Sequence, residues 1–123
     1  MNKKGIVVCG GEEHNLGKII NLNEQMFTMF GFKAEELMSQ SINELMPSSF
    51  AIHHDNLIRL YLKRGGKNSI FDSGPRQIWV KNSSGYLDES RLDVRVVPDL
   101  MNGIKIMGVI YKTRFSDQDD EDV

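Results

Sequence analysis

The chain has 123 residues, 40% of them hydrophobic and 26% charged, which fits one ordinary globular domain with a single core. It lacks the roughly 18 consecutive apolar residues of a membrane-spanning helix, and its start, MNKKGIVVCGGEEHN, lacks a signal-peptide core. The net charge of −2 is uneven: Asp117, Asp119, Asp120, Glu121 and Asp122 leave 12 acids against 15 bases in the rest, too slight and scattered an excess for a nucleic-acid surface.

The run Gly5 to Cys9 is apolar and β-branched and ends at Gly10-Gly11, which predicts a strand and a turn. Gly17 to Asn23 predicts a second strand, joined to the first by a loop of about hairpin length. The period then changes. Met26, Phe27, Met29 and Phe30 fall at helical spacing, with Asn23 as N-cap and Gly31 as terminator. KAEELMSQ continues as a short helix, and in SINELMP Ser41 and Glu44 have capping-box spacing, with Pro47 as a stop.

In the stretch from Met46 to Gly65, His54, Leu57, Ile58 and Tyr61 lie on one helical face. Asp55, Arg59 and Lys63 lie on the opposite face, with Asp55 and Arg59 spaced as a supporting pair. His54 is central to the apolar stripe and His53 is on its edge.

From Lys67 onward the pattern is β. SIFDSGPRQIWVK and YLDESRLDVRVV predict two strands joined by the turn NSSG. In the second, Ser90, Leu92, Val94 and Val96 face one way and Glu89, Arg91, Asp93 and Arg95 the other. IKIMGVIYK predicts the last strand, with Ile104, Ile106, Gly108 and Ile110 inward. Its outward residues, Met107, Val109 and Tyr111, are unusually apolar for a solvent face. Strands and helices are segregated, so the class is α+β: a five-stranded antiparallel sheet with several short helices and one longer helix packed on one face. Residues 1–115 read as one domain and 116–123 as an acidic, solvated tail.

Catalytic patterns are missing. His14, His53, His54 and Cys9 have no nucleophile–base spacing, and CGG and KRGGKN are glycine turns without phosphate-loop spacing. Adjacent histidines on a helix point about 100° apart and do not chelate together. No enzyme activity and no metal site are expected. The single cysteine cannot form an internal disulfide, which suits a reducing compartment.

The order of elements, with GKIINLNEQMFTMFGFKAEELMSQSINELMP, HDNLIRLYLKRG, an arginine before the hairpin strand, NSSGY and MGVIY, resembles a PAS domain from Gly5 to about Lys112. Two departures stand out. Ser39 occupies the place of a usual glycine, and YKTRFSD replaces the Asp-Ile-Thr ending that often feeds a signalling helix. The resemblance implies a cytoplasmic sensory or interaction module, the cytosolic part of a larger or membrane-anchored signalling protein. Such a module touches neither nucleic acid nor the membrane directly. Its partner would be another protein or a second PAS protomer, as in a homodimer, met through Met107, Val109 and Tyr111.

The alternative is a haem-based gas or redox sensor. Counted from Pro47, His54 matches the family's axial haem ligand, and Arg76 matches an arginine that reaches a propionate or bound oxygen. Leu92, Val94, Ile106 and Gly108 would line that haem or small-ligand pocket. Against this stands a structural His54 that fixes its own helix start. A flavin (FMN) photosensor is disfavoured, because the reactive cysteine of Asn-Cys-Arg-Phe-Leu is missing and Cys9 lies in the wrong strand. Phe71, Trp79 and Tyr86 read either as a ligand-stacking set or as core and hairpin packing.

Overall fold

The computed structural model describes residues 4–47, 56, 58–60, 62–63, 76–98, 101 and 103–112. In chain order the elements are β1 (Gly5–Gly10), β2 (Ile19–Leu22), α1 (Glu24–Phe30), α2 (Ala34–Leu37), a 3₁₀ turn (Ile42–Leu45), β3 (Arg76–Lys81), β4 (Leu87–Val97) and β5 (Lys105–Lys112). The described residues between 56 and 63 are helical. The strands form one antiparallel sheet in the order β2-β1-β5-β4-β3. Class, strand number and strand directions all match the sequence-based expectation.

Asn23 explains how α1 joins the sheet. Its Oδ1 accepts from Met26 N (3.3 Å) at the helix start and from Ile6 N (2.9 Å) in β1. Its Nδ2 donates to the Lys4 carbonyl (3.0 Å). One side chain therefore satisfies a helix-end donor and fixes the helix against the strand. At the other end Gly31 takes φ +78°, and its N–H donates to the Phe27 carbonyl (2.8 Å). That left-handed terminus is the glycine's role. The helix buries Met26, Met29 and Phe30 under the sheet.

The core lies on one sheet face in two clusters. The larger joins Val7, Ile19, Val80 and Ile110 of the sheet to Met26, Phe30, Leu37, Ile42 and Leu45 of the helical segments. The smaller joins Cys9 and Ile106 to Ile58, with Leu16, Leu62 and Val94 at its margin. Ile58 and Leu62 thus carry the apolar side of their helix onto the sheet, while Arg59 and Lys63 are exposed, as the stripe predicts. Arg59 pairs with Glu13 (Nε–Oε1 2.9 Å), and its expected partner Asp55 lies outside the described residues.

Two expectations are corrected. Ser41 and Glu44 do not form a capping box. The segment is a four-residue 3₁₀ turn, in which the Ser41 hydroxyl accepts from Asn43 N (3.1 Å). The Glu-to-backbone half of such a box occurs instead at α2, where Lys33 N donates to Glu36 Oε1 (2.7 Å). Ile104 is not an inward residue of β5. Gly103 turns the chain at φ +87°, so the ladder starts at Lys105 and Ile104 is 38% exposed. The backbone of Ile104 is held by the β1–β2 loop, its N–H donating to Glu12 Oε2 (2.7 Å) and its carbonyl accepting from Gly11 N (2.9 Å).

Candidate functional site

Directly paired residues in a sheet share a face, so the register sorts every candidate residue. On the helix-covered face, Arg76 of β3 is level with Leu92 of β4 and Ile110 of β5. Val94 is level with Gly108 and Val7, and Val96 with Ile106 and Cys9. The five described pocket candidates, Arg76, Leu92, Val94, Ile106 and Gly108, therefore share one face, and the last four form a contiguous patch. His54 and His53 lie outside the described residues.

That patch is closely packed at its centre. A Cβ added at Gly108 would meet Leu92 Cδ1 at 3.1 Å and Val7 Cγ1 at 3.3 Å. Side chains of the neighbouring strands therefore leave little room for one at position 108 itself. Next to it, Cys9 is buried among apolar groups, and burial pushes its thiol up to about 11. At neutral pH this is a packing residue and not a nucleophile. Among the described residues no group of histidine, cysteine and carboxylate side chains could hold a metal ion.

Of the aromatic set, Trp79 is 49% exposed and Tyr86 is 74% exposed on the β3–β4 hairpin, so neither lines the inner face. Phe71 lies outside the described residues. The hairpin turn is built by Asn82, whose Oδ1 accepts from Ser84 N and Tyr86 N (3.0 Å each), with Gly85 at φ +88°. An open depression of about 400 Å³ separates this turn from α2, with Phe32, Leu37, Glu36, Glu44 and Lys81 on its walls.

The opposite face carries the other candidates. Met107, Val109 and Tyr111 all point to it, each half-buried. β1 adds Val8 beside Met107 and Ile6 beside Val109. The sequence-based reading missed these two. The alternation of half-buried and buried residues along Gly5–Gly10 marks them, but only once the β1–β5 register is known. On the β4 side lies a charged column, Glu89, Arg91, Asp93 and Arg95, in which Arg95 Nη2 pairs with Asp93 Oδ2 (3.0 Å).

The family model for the PAS fold matches residues 16–89. With the sheet order and the helices packed on one face, this settles the class: the chain belongs to the PAS family, whose domains are sensory modules. Among solved structures, a PAS domain from Desulfitobacterium hafniense aligns with a TM-score of 0.70 at 14% identity, covering 89% of this chain and 92% of that one. A PAS domain from Colwellia psychrerythraea aligns with a TM-score of 0.68 at 17% identity, covering 89% and 86%. The PAS domain of the RpfR quorum-sensing receptor of Cronobacter turicensis, solved in complex with C12:0, aligns with a TM-score of 0.66 at 16% identity, covering 89% and 92%. No curated protein matches the chain. Among the described residues no helix is long and apolar enough to cross a membrane.

Proposed function

We propose that this PAS domain is a non-enzymatic interaction module that signals through the outer face of its sheet. The carrying observation is the contrast between the two faces. On the inner face Leu92 and Val7 crowd Gly108, whereas the outer face presents Ile6, Val8, Met107, Val109 and Tyr111 as one half-buried apolar patch. Apolar residues grouped on a sheet face away from the core mark a surface that something covers. Each is already half-buried, so a covering partner adds only part of the roughly 1.5–3 kcal/mol that full burial of such a side chain contributes. The acidic tail and the setting in a larger cytoplasmic signalling protein belong to the same reading.

Light scattering over a concentration series tests it. Mass that rises with concentration in the wild type and falls to monomer in Met107→Glu and Tyr111→Glu supports the reading. A monomer of unchanged mass in all three proteins sinks its dimeric form.

One feature favours a ligand role for the inner face: Arg76 opens the edge strand β3 on that face, level with Leu92. A haem held by His54 would use it for a propionate. Such a group would have to lie above the close contacts that Leu92 and Val7 make around Gly108. The absorption spectrum after adding haem decides the point. A Soret band lost in His54→Ala and kept in His53→Ala supports the sensor, and no band rejects it.

A further inference from the structure

The two edges of the sheet are finished differently. At one end, β2 has four residues, and the segment after α2 bonds its outer side: Ser39 N donates to the Ile19 carbonyl and Ile19 N to the Gln40 carbonyl. At the other end, β3 has six residues that pair with β4 in unbroken register. No described residue pairs with the other side of β3. An edge strand turns a row of N–H and C=O groups away from its sheet, and proteins ordinarily blunt such a row with a bulge, a proline, charge or a very short strand. The sequence of β3, RQIWVK, contains no proline and no bulge, only a basic residue at each end.

The side chains along this edge add to the contrast. Paired residues share a face, so Trp79 (opposite Glu89) and Lys81 (opposite Leu87) stand at the margin of the outer face. Trp79 is 49% exposed and Leu87 46%. Glu89 accepts from Gln77 Nε2, and Lys81 makes no ion pair with a described residue. The edge therefore combines three features. Its backbone groups match another extended backbone, its indole matches an apolar side chain, and its two positive charges match acid.

We propose that β3 is a docking edge for an extended, acid-flanked segment of another protein, which joins the sheet as a further strand. Main-chain hydrogen bonds supply the affinity, and alternate side chains supply the selectivity. The residue opposite Trp79 is apolar, because aromatic and β-branched residues pair well across strands. The residue two places along, opposite Lys81, is a carboxylate. A second copy of this chain is a poorer occupant, since β3 against β3 brings two basic residues from each strand together with no acid. The edge is separate from the patch formed by Ile6, Val8, Met107 and Val109, so the inference does not rest on the outer-face reading.

Trp79 is the one tryptophan of the chain, so its fluorescence reports on the edge directly. The probe is the synthetic peptide acetyl-Glu-Thr-Ile-Val-Thr-Glu-amide. In either strand direction it sets Ile or Val opposite Trp79 and Glu opposite Lys81, and it has no aromatic residue of its own. Titrated into the full chain, it should move the Trp79 emission to shorter wavelength and saturate. The same peptide N-methylated at both Ile and Val should not bind, because one of two successive N–H groups in a strand faces the neighbouring strand. A peptide with Lys in place of each Glu should bind roughly tenfold more weakly or worse, and so should the acidic peptide to Lys81→Glu. For Trp79→Ser, anisotropy of a fluorescein-labelled acidic peptide should show a comparable loss. Circular dichroism confirms that both variants are folded.

An N-methylated peptide that binds as well as its parent overturns strand addition. Equal affinity for the acidic and basic peptides overturns the charge assignment. No emission shift at millimolar peptide overturns the edge as a docking site. A wild-type dimer that persists in Met107→Glu and is lost in Trp79→Ser overturns the foreign partner and gives the edge to a second copy.

Discussion

Ser39 shows how much a single position can carry. It has φ +67°, the left-handed region that a side chain enters at a cost of roughly 1–2 kcal/mol. Glycine there gives back part of that gain through its freer unfolded state, roughly 0.5–1 kcal/mol. Ser39→Gly should therefore stabilise the domain by about 0.5–1 kcal/mol in urea titration. The turn it forms is needed: Ser39 N donates to the Ile19 carbonyl (3.1 Å) and Ile19 N donates to the Gln40 carbonyl (2.8 Å), closing the free edge of β2. The departure from glycine was visible in the sequence as a resemblance broken at one place. The reason glycine belongs there is a dihedral angle, which no spacing rule supplies.

Cys9 makes a pH-dependent prediction of defined sign. Its thiol stands at about 11 in the fold against 9.0 for an ordinary cysteine, because burial disfavours the thiolate. Between those values the unfolded chain has lost the proton and the folded chain keeps it. Stability from this group is complete below pH 9 and is lost as pH rises toward 11, by roughly 2–3 kcal/mol. Lysines and tyrosines titrate in the same window, so the readout is a difference. Urea midpoints at pH 8 and pH 10.5 should separate further for the wild type than for Cys9→Val.

At the scale of the elements, the link between α1 and β1 is the one most exposed to a single change. Asn23→Ala removes the helix cap and leaves the Ile6 N–H and the Lys4 carbonyl without that partner. A lost cap costs about 1 kcal/mol, and an unmet backbone group in a half-buried place about as much again. A loss of about 2 kcal/mol is expected, with Asn23→Asp keeping most of the Oδ1 contacts. The helix, its cap and its Gly31 terminus were all legible from period and residue type. So was the alternation of β4, because a half-buried strand writes burial directly into its sequence. The capping box at Ser41 was not, since the residue spacing is the same whether the turn that follows is α or 3₁₀. Nor was the start of β5, where the positive φ of Gly103 overrides an unbroken apolar pattern. Of the candidate site, the sequence marked the apolar side of β5 but not its extension to Ile6 and Val8, which depends on two strands nearly a hundred residues apart being neighbours.

For the whole molecule, the division of labour between the faces predicts how stability responds to concentration. One face holds both core clusters, so the fold is complete within a single chain. A dimer through the other face adds stability by mass action, because association draws on the folded form only. The midpoint of thermal unfolding should then rise by a few degrees for each tenfold increase in wild-type concentration, the size expected when about 1.4 kcal/mol is added to a unit of two such chains. Met107→Glu should melt at one temperature throughout, close to that of the dilute wild type, since it changes the outer face and leaves the core alone. Scanning calorimetry over roughly a hundredfold range of concentration checks both. A wild-type midpoint that does not move means the folded chain gains nothing from its own kind, and the apolar patch must then be assigned to a different partner. A midpoint that moves equally in Met107→Glu means the copies meet elsewhere, through a surface other than β1 and β5.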